Sequence, residues 1–462
     1  MKWRSLREMF NSRAVKKARR GTLMLGLAAA MASCATLQAD SDVIKPGQSL
    51  ALAQPCPQDT VPAKPKLAYA EELFRQNDPA PPSEAVLKMS PEERMQYYMK
   101  KFCFEANKAA NDNDPRDKAV VAALNTLSTV TFMGKPLVDL ADQEHLRLCA
   151  LKHMPAGTAA QYHASDVFVA AGQNAKKQGQ VLDLAHEITH AAQDKQGLLR
   201  YGYVWDIESR VRRNLSIEAA PVALEFAVAY EKKLSGDDSY WEYIKKHDAN
   251  TAYTSAENHK LFEDTYNSRI EAGWSKNDAL RAGATAIFER VFDSDDWRNF
   301  YLTSELNSYI DDIANKKFAI FTEIRHGVFD QEEVDKAGKI GDLPSFTKGA
   351  WLPAYAELFN GNQKMQWAYE AADIERHRQA LGAEHETVKA MEKQATENKN
   401  PYLGIDFAEV SRRLGDARWS SRFQSTWQVM DEVVKDKANG KKPSAPASLA
   451  PCVPAALKPP SV

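Results

Sequence analysis

The sequence predicts a mainly α-helical protein with one small β-sheet in its first half. From residue 237 onward, the segments are amphipathic with the period of a helix. One short run, residues 166–170, is apolar and β-prone instead, and Gly172 begins a turn after it. With 44% hydrophobic and 26% charged residues, the composition is that of an ordinary globular protein. A chain of 462 residues is longer than one core usually holds, so two or more domains are expected.

The N-terminus is typical of a secretory signal peptide, which we assign to residues 1–34. Residues 1–20 contain eight Lys or Arg and a single acid, and residues 21–32 form an apolar run too short to span a membrane. The tetrapeptide that ends in Cys34 resembles a bacterial lipobox, whose cysteine becomes lipidated. Cleavage near residues 37–39 is the alternative. We therefore expect an exported protein, either periplasmic or an outer-membrane lipoprotein, that contacts the membrane only through this anchor.

The charge of the chain argues against a nucleic-acid partner. The full chain has a formal net charge of −2; removal of residues 1–33 takes away eight basic residues and one acidic residue, which leaves −9. No basic stripe is visible in the remaining sequence. The oligomeric state does not follow from these numbers.

Four cysteines follow the predicted signal, and an even count in an exported chain indicates disulfides. Three pairings exist in principle. We predict one bond between Cys103 and Cys149, which lie in apolar segments, and one between Cys56 and Cys452, which lie in Pro-rich tails. Buried free thiols are the alternative for each pair.

Helices are predicted from period and end signals. Ser90 and Pro91 form the start signal of one of them. A turn is expected at residues 132–138, around Gly134 and Pro136. The predicted helices span residues 67–74, 91–111, 117–129, 142–151, 182–192, 214–231, 239–246, 254–272, 276–292, 296–315, 331–337, 350–359, 366–380, 384–395 and 406–437.

One of these helices carries the sequence His-Glu-x-x-His. His186 and His190 are four residues apart, so both imidazoles can point at the same spot on one helix face. Two neutral imidazoles at this spacing make half of a tetrahedral zinc site. Glu187 lies on the edge of the same face, where a carboxylate can take a proton from a metal-bound water.

With this motif the chain resembles the zincin superfamily of zinc metallopeptidases. Residues 162–230 more widely resemble bacterial metallopeptidase domains of the gluzincin type. The resemblance implies a zincin-like α+β catalytic domain with a small edge sheet, followed by a helical domain. It also implies that the strand at residues 166–170 is the sheet edge that pairs with an extended substrate, which an edge strand can do with its free N–H and C=O groups. An ordinary core strand is the alternative.

Gluzincins take their third zinc ligand from a glutamate on a second helix, and a catalytic zinc keeps its fourth position for water. We choose Glu218, 28 residues beyond His190, because the alanines beside it let two helices approach closely. Glu225, two turns further on the same face, and Glu208 are the alternatives. The acid that gluzincins often carry four residues after this ligand is replaced by Val222.

Pro221 complicates this choice, because a proline inside a helix removes a backbone hydrogen bond. If Ser216 capped a helix that started there, Pro221 would lie only just past the first turn, where the cost is smaller.

The domain assignment that follows is a signal peptide (1–34), a Pro-rich linker (35–66), a catalytic domain (67–235), a helical domain (236–438) and a Pro-, Lys- and Ala-rich tail (439–462). The function implied is a zinc-dependent peptidase of the bacterial cell envelope that acts on peptide or protein substrates, with Zn²⁺ on His186, His190 and Glu218 and with Glu187 as general base. A helical envelope scaffold with a vestigial or structural metal site and a zinc amidase of the cell wall are the alternatives. The residue that stabilises the oxyanion is not identified.

Overall fold

A computed structural model of the chain describes residues 69–78, 80, 82–106, 115–154, 160–163, 168–172, 177–199, 207–248, 257–320, 329–417 and 426–440. Within these ranges the protein is mainly α-helical with one four-stranded sheet, which confirms the predicted fold class. The signal peptide, the Pro-rich linker and the C-terminal tail beyond residue 440 lie outside the described residues, as do Cys56 and Cys452.

The first half of the chain contains the sheet and the helices that cover it. Its elements are α1 (Tyr69–Asn77), α2 (Glu84–Leu87), α3 (Pro91–Phe102), β1 (Cys103–Glu105), α4 (Pro115–Ser128), α5 (Gly134–Gln143), β2 (Arg147–Leu151), β3 (Ala160–His163), β4 (Phe168–Gly172) and α6 (Lys177–Lys195).

The sheet has the strand order β1-β2-β4-β3. Strands β2 and β4 are parallel, and the two outer strands run antiparallel to their neighbours. Alternate residues of the inner strands face opposite layers: Leu148 and Val169 pack with α4, α5 and α6, whereas Leu151 and Phe168 pack with α1 and α3. Helices therefore cover both faces, and the described part of the strand predicted at 166–170, residues 168–170, lies in β4, an inner strand. Among the described strands, the edge strand in contact with α6 is β3.

Two local predictions ahead of the motif were wrong. Residues 147–151 form β2 and not the end of a helix, because a strand that is buried on both faces loses the alternation by which strands are recognised. The predicted turn at 132–138 is the start of α5, and Pro136 lies in its first turn, where no N–H is needed. The cap of α5 comes from far away: Glu231 accepts hydrogen bonds from the backbone N–H groups of Phe132 (2.8 Å) and Met133 (2.9 Å).

The predicted disulfide between Cys103 and Cys149 is present. The two cysteines are directly opposite each other in the antiparallel pair of β1 and β2. The predicted helix 91–111 ends at Phe102, so Cys103 begins a strand and can reach its partner across the sheet.

Helices make up the rest of the chain. They are α7 (Ile207–Leu234), α8 (Ser239–Asp248), α9 (Asn258–Glu271), α10 (Lys276–Asp293), α11 (Asp295–Ala314), a 3-10 turn (Lys317–Ile320), α12 (Gln331–Ala337), α13 (Tyr355–Leu358), α14 (Gln363–Leu381), α15 (Glu386–Glu397), α16 (Phe407–Ala417) and α17 (Thr426–Ala438). The predicted helix at 406–437 is thus two helices, α16 and α17.

One large apolar cluster extends from Val120 on α4 to Val433 on α17, with α7 through its middle. The domain boundary predicted at residue 235 stays a prediction. Across the part of the chain that the structure describes, every helix is too short or too polar for a membrane span.

Candidate metal centre

Helix α6 carries the His-Glu-x-x-His motif through the core. Its apolar residues, such as Leu184 and Ile188, are buried, and so are all three motif side chains. The helix stops where Gly197 adopts a left-handed conformation (φ 79°), while Leu198 donates a backbone hydrogen bond to Gln193 (2.9 Å). This is a Schellman ending, in which glycine takes the conformation that side chains disfavour. His186 and His190 therefore lie in the interior of α6, at least five residues from either end.

The structure brings His186, His190 and Glu218 together. Nε2 of His186 lies 3.7 Å and Nε2 of His190 lies 3.8 Å from the same carboxylate oxygen of Glu218, on α7. One ligand atom from each residue lies within 4.8 Å of the others, and no other group of three metal-ligating side chains occurs among the described residues. All three residues are at most 7% exposed. Three donor atoms thus face one small volume.

Glu225 is the support of His186. Its Oε1 accepts a hydrogen bond from Nδ1 of His186 at 2.6 Å. An ionised carboxylate can only accept, so Nδ1 carries a hydrogen, and Nε2 is the nitrogen that faces Glu218 and would be available to a metal ion. The acid that is missing at Val222 is replaced by one three residues later. Glu225 and Glu218 therefore contact opposite sides of one imidazole, although both were candidates for the same role.

Glu208 is outside this cluster. It lies in the first turn of α7 and pairs with Arg212 at 3.4 Å, with 47% of its side chain exposed. Ser216 is not a cap, because α7 begins at Ile207; its hydroxyl donates to the C=O of Arg212 (2.9 Å). Pro221 is consequently deep inside α7, and its lost hydrogen bond has to be compensated elsewhere.

Gln193 supports His190, and sequence reasoning did not identify it. Its Oε1 lies 2.9 Å from Nδ1 of His190, while its Nε2 donates to the C=O groups of Ile217 and Ala337, each at 3.0 Å. Its position three residues after His190 on the same helix was the available signal. Nε2 of His190 is buried and has no hydrogen-bond partner among the described residues.

The electrostatics of the site favour a positive charge. Burial by itself lowers the pKa of His186, but the carboxylates of Glu218 (3.7 Å) and Glu225 (2.6 Å) outweigh it and raise this pKa well above its ordinary value. A cation, whether a proton or a metal ion, is thus stabilised between these carboxylates. Two imidazole nitrogens and one carboxylate oxygen are the donor set of a catalytic zinc, so the residues fit that metal.

Glu187 occupies the edge of the site. Its Oε2 accepts a hydrogen bond from the backbone N–H of Tyr162 on β3 at 2.6 Å, and the hydroxyl of Tyr162 donates to Asp194 at 3.0 Å. Burial raises the pKa of Glu187, and the neighbouring imidazoles lower it less. A raised pKa makes a carboxylate a better proton acceptor near neutral pH. Sequence reasoning missed Tyr162, because nothing in its spacing links it to the motif, and it missed Asp194, although Asp194 lies four residues after His190 on the same helix.

A comparison of the sequence with models of known protein families finds one family that matches this chain. The sequence model of the family described as "Putative metallopeptidase family (DUF6782)" matches residues 94–334, just over half of the chain. The match includes α6 and α7. It therefore covers the three candidate metal ligands, His186, His190 and Glu218, and the candidate general base, Glu187. No curated protein and no solved structure matches the chain.

Proposed function

The chain belongs to this metallopeptidase family, and from that membership we propose that it is a zinc-dependent hydrolase of peptide bonds with a zincin-type centre. The observation that carries the proposal is the convergence of His186, His190 and Glu218, with both Nε2 atoms directed at one carboxylate oxygen. Buried groups of this kind are costly unless they are paired or bind a metal.

His186, His190 and Glu218 would hold the ion, and with three protein ligands a solvent molecule could also bind to it. A zinc ion bound there would lower the pKa of a water molecule towards about 7 and polarise the scissile carbonyl. Glu225 and Gln193 keep the two imidazoles in the tautomer that offers Nε2. The chain thus presents a set of ligands that needs no rearrangement of its histidines.

Glu187 acts as the general base in this proposal. Its carboxylate takes the proton of the attacking water and then delivers it to the leaving nitrogen of the peptide bond. The N–H of Tyr162 fixes one carboxylate oxygen, which leaves the other for the water. In the sheet of the described residues, β3 and not the strand that the sequence suggested is the edge strand next to α6, so we propose that an extended substrate lies along β3.

The test is the variant Glu187→Gln, which keeps the size of the side chain but cannot accept the proton. We expect zinc content equal to that of the parent and a loss of cleavage of a fluorescein-labelled casein or a quenched peptide library by at least about a hundredfold. Glu242→Gln, at an exposed position on α8, is the matched control and should cleave like the parent. Undiminished cleavage by Glu187→Gln would refute the mechanism.

The same measurements separate the two alternatives. A protein that binds zinc but cleaves no peptide would be a scaffold, whereas cleavage confined to cell-wall cross-links would make it an amidase. We further propose export through residues 1–34, with lipidation of Cys34, on the basis of the sequence pattern. The mass of the mature N-terminus, measured for the parent and for Cys34→Ser, distinguishes a lipid anchor from simple cleavage.

A further inference from the structure

Pro221 lies in the interior of α7, three residues after Glu218. Proline has no backbone N–H, so residue 221 cannot make the helical hydrogen bond to the C=O of Ile217, four residues earlier. The helix nevertheless continues from Ile207 to Leu234, and Ile217 is only 2% exposed. A buried carbonyl that has lost its helical donor needs another one.

The amide of Gln193 is that donor. Its Nε2 lies 3.0 Å from the C=O of Ile217 and 3.0 Å from the C=O of Ala337, at the end of α12. An amide nitrogen has two hydrogens, and each carbonyl takes one. The Oε1 of Gln193 must therefore face His190, whose Nδ1 is 2.9 Å away.

This arrangement leaves His190 one choice of tautomer. Because Oε1 only accepts, Nδ1 of His190 must carry the hydrogen, and Nε2 keeps its lone pair. That Nε2 is the atom 3.8 Å from Glu218. The carbonyl of Ile217 also belongs to the peptide group that contains the nitrogen of Glu218. One amide side chain thus connects a histidine on α6 with the backbone next to the glutamate on α7.

We propose that Pro221 and Gln193 act together as positioning residues of the metal centre. Pro221 frees the carbonyl of Ile217, Gln193 binds that carbonyl, and the amide orientation that results fixes the tautomer and ring direction of His190. The inference rests on the proposed function for its metal, but the chain of hydrogen bonds exists without one. It explains why a residue that costs helix stability lies one turn from Glu218.

Gln196 provides the matched control. It directly follows the last residue of α6, three residues after Gln193, and donates to the C=O of Lys339 (2.9 Å), two residues beyond the carbonyl of Ala337 that Gln193 binds. Among the described residues, its side chain makes no hydrogen bond to either histidine of the motif. If Gln193 served only to attach α6 to residues 337–339, its substitution should have the same effect on zinc affinity as substitution of Gln196.

The first experiment measures zinc affinity by competition with a chromophoric chelator. We expect Gln193→Met to weaken zinc binding about tenfold to a hundredfold, as loss of a ligand's hydrogen-bond partner does. Pro221→Ala restores an N–H that competes for Ile217 and should weaken binding by about tenfold or less. The double variant should bind no more weakly than Gln193→Met, because both changes act through one bond. Gln196→Met should bind like the parent.

The second experiment needs no metal. Nitrogen-15 spectra of histidine-labelled, metal-free protein at about pH 8 report which ring nitrogen of His190 carries hydrogen. We expect the Nδ1–H tautomer in the parent and in Gln196→Met, and a mixture of tautomers in Gln193→Met and Pro221→Ala. Pro221→Ala adds a helix-forming residue, so it provides the test even if Gln193→Met fails to fold.

The two readouts separate the inference from the proposed function. A parent protein without zinc affinity would refute the proposed function, while the tautomer result still decides the role of Gln193 and Pro221. If Gln193→Met and Pro221→Ala both retain the parent's tautomer, the inference is wrong. Additive losses of affinity in the double variant would also overturn it, because they would show two independent effects.

Discussion

At the scale of single residues, the site is defined by what each imidazole does with its second nitrogen. His186 donates to the charged carboxylate of Glu225, whereas His190 donates to the neutral amide of Gln193. Both interactions leave Nε2 directed at Glu218. Glu225 orients His186 through a charge-assisted hydrogen bond. Gln193 orients His190 because both hydrogens of its amide are already bonded to backbone carbonyls, which turns its oxygen towards the imidazole.

This difference predicts the effect of removing Glu225. We expect Glu225→Ala to lower zinc affinity about tenfold to a hundredfold and Glu225→Gln to lower it less, since an amide can still accept from Nδ1. Glu208→Gln, on the same helix but exposed, should change nothing. Metal analysis and chelator competition measure all three variants. If Glu225→Ala lost the metal entirely while Glu218→Ala kept it, the assignment of ligand and support would be reversed.

At the scale of elements, α7 organises the centre of the molecule. It carries Glu218 and Glu225 on the face towards α6, and one turn before its end it carries Glu231, which caps the N-terminus of α5. The N-cap residue of α5, Met133, has no side chain that could do this. A carboxylate at a helix N-terminus satisfies free N–H groups and interacts favourably with the helix dipole.

Loss of this cap should destabilise the fold without touching the metal site. We expect Glu231→Ala to lower the free energy of unfolding by about 1–2 kcal/mol, because the partly buried N–H groups of Phe132 and Met133 lose their acceptor. Chemical denaturation followed by circular dichroism measures this, and Glu271→Ala, at an exposed position at the end of α9, is the control. Equal stability of the two variants would show that α5 does not depend on the cap.

At the scale of the whole molecule, the fold contains groups whose protonation opposes folding in acid. Burial lowers the pKa of His163, on β3, to about 3. Hydrogen bonds from Arg412 and Arg413 outweigh the burial of Glu409, on α16, and lower its pKa to about 2. In both cases the unfolded chain binds protons at a higher pH than the folded protein.

The sign of the effect follows from this difference. The contribution of His163 is fully present above about pH 6.5 and is lost as the pH falls towards about 3, and that of Glu409 is lost between about pH 4.5 and pH 2. Stability should therefore decrease from pH 6.5 downward. His163→Gln should make the decrease shallower in the upper window only. Urea denaturation across the pH range tests this, with the exposed His153→Gln as control; identical slopes would contradict the assigned cause.

Features that depend on residues close together along the chain could be predicted from the sequence. The spacing of His186 and His190 places both on one helix face, whatever surrounds the helix. The predominance of helices follows from periodicity, and the pairing of Cys103 with Cys149 was predicted from the two apolar segments. The strand at 147–151 was not predictable in this way, because burial on both faces removes its alternation.

Features that depend on contacts between helices and strands could be assigned only from the folded chain. Glu218 and Glu225 are seven residues apart on the same face of α7, so periodicity treats them alike; only the packing of α7 on α6 places one at the Nε2 side of His186 and the other at Nδ1. Pro221 looks like a defect in a helix when it is read along the chain. In the folded chain, α6 brings Gln193 to the Ile217 carbonyl that Pro221 leaves without its helical donor. This contact could not be predicted from the sequence, because hydrogen bonds between helices depend on three-dimensional distance and not on sequence spacing.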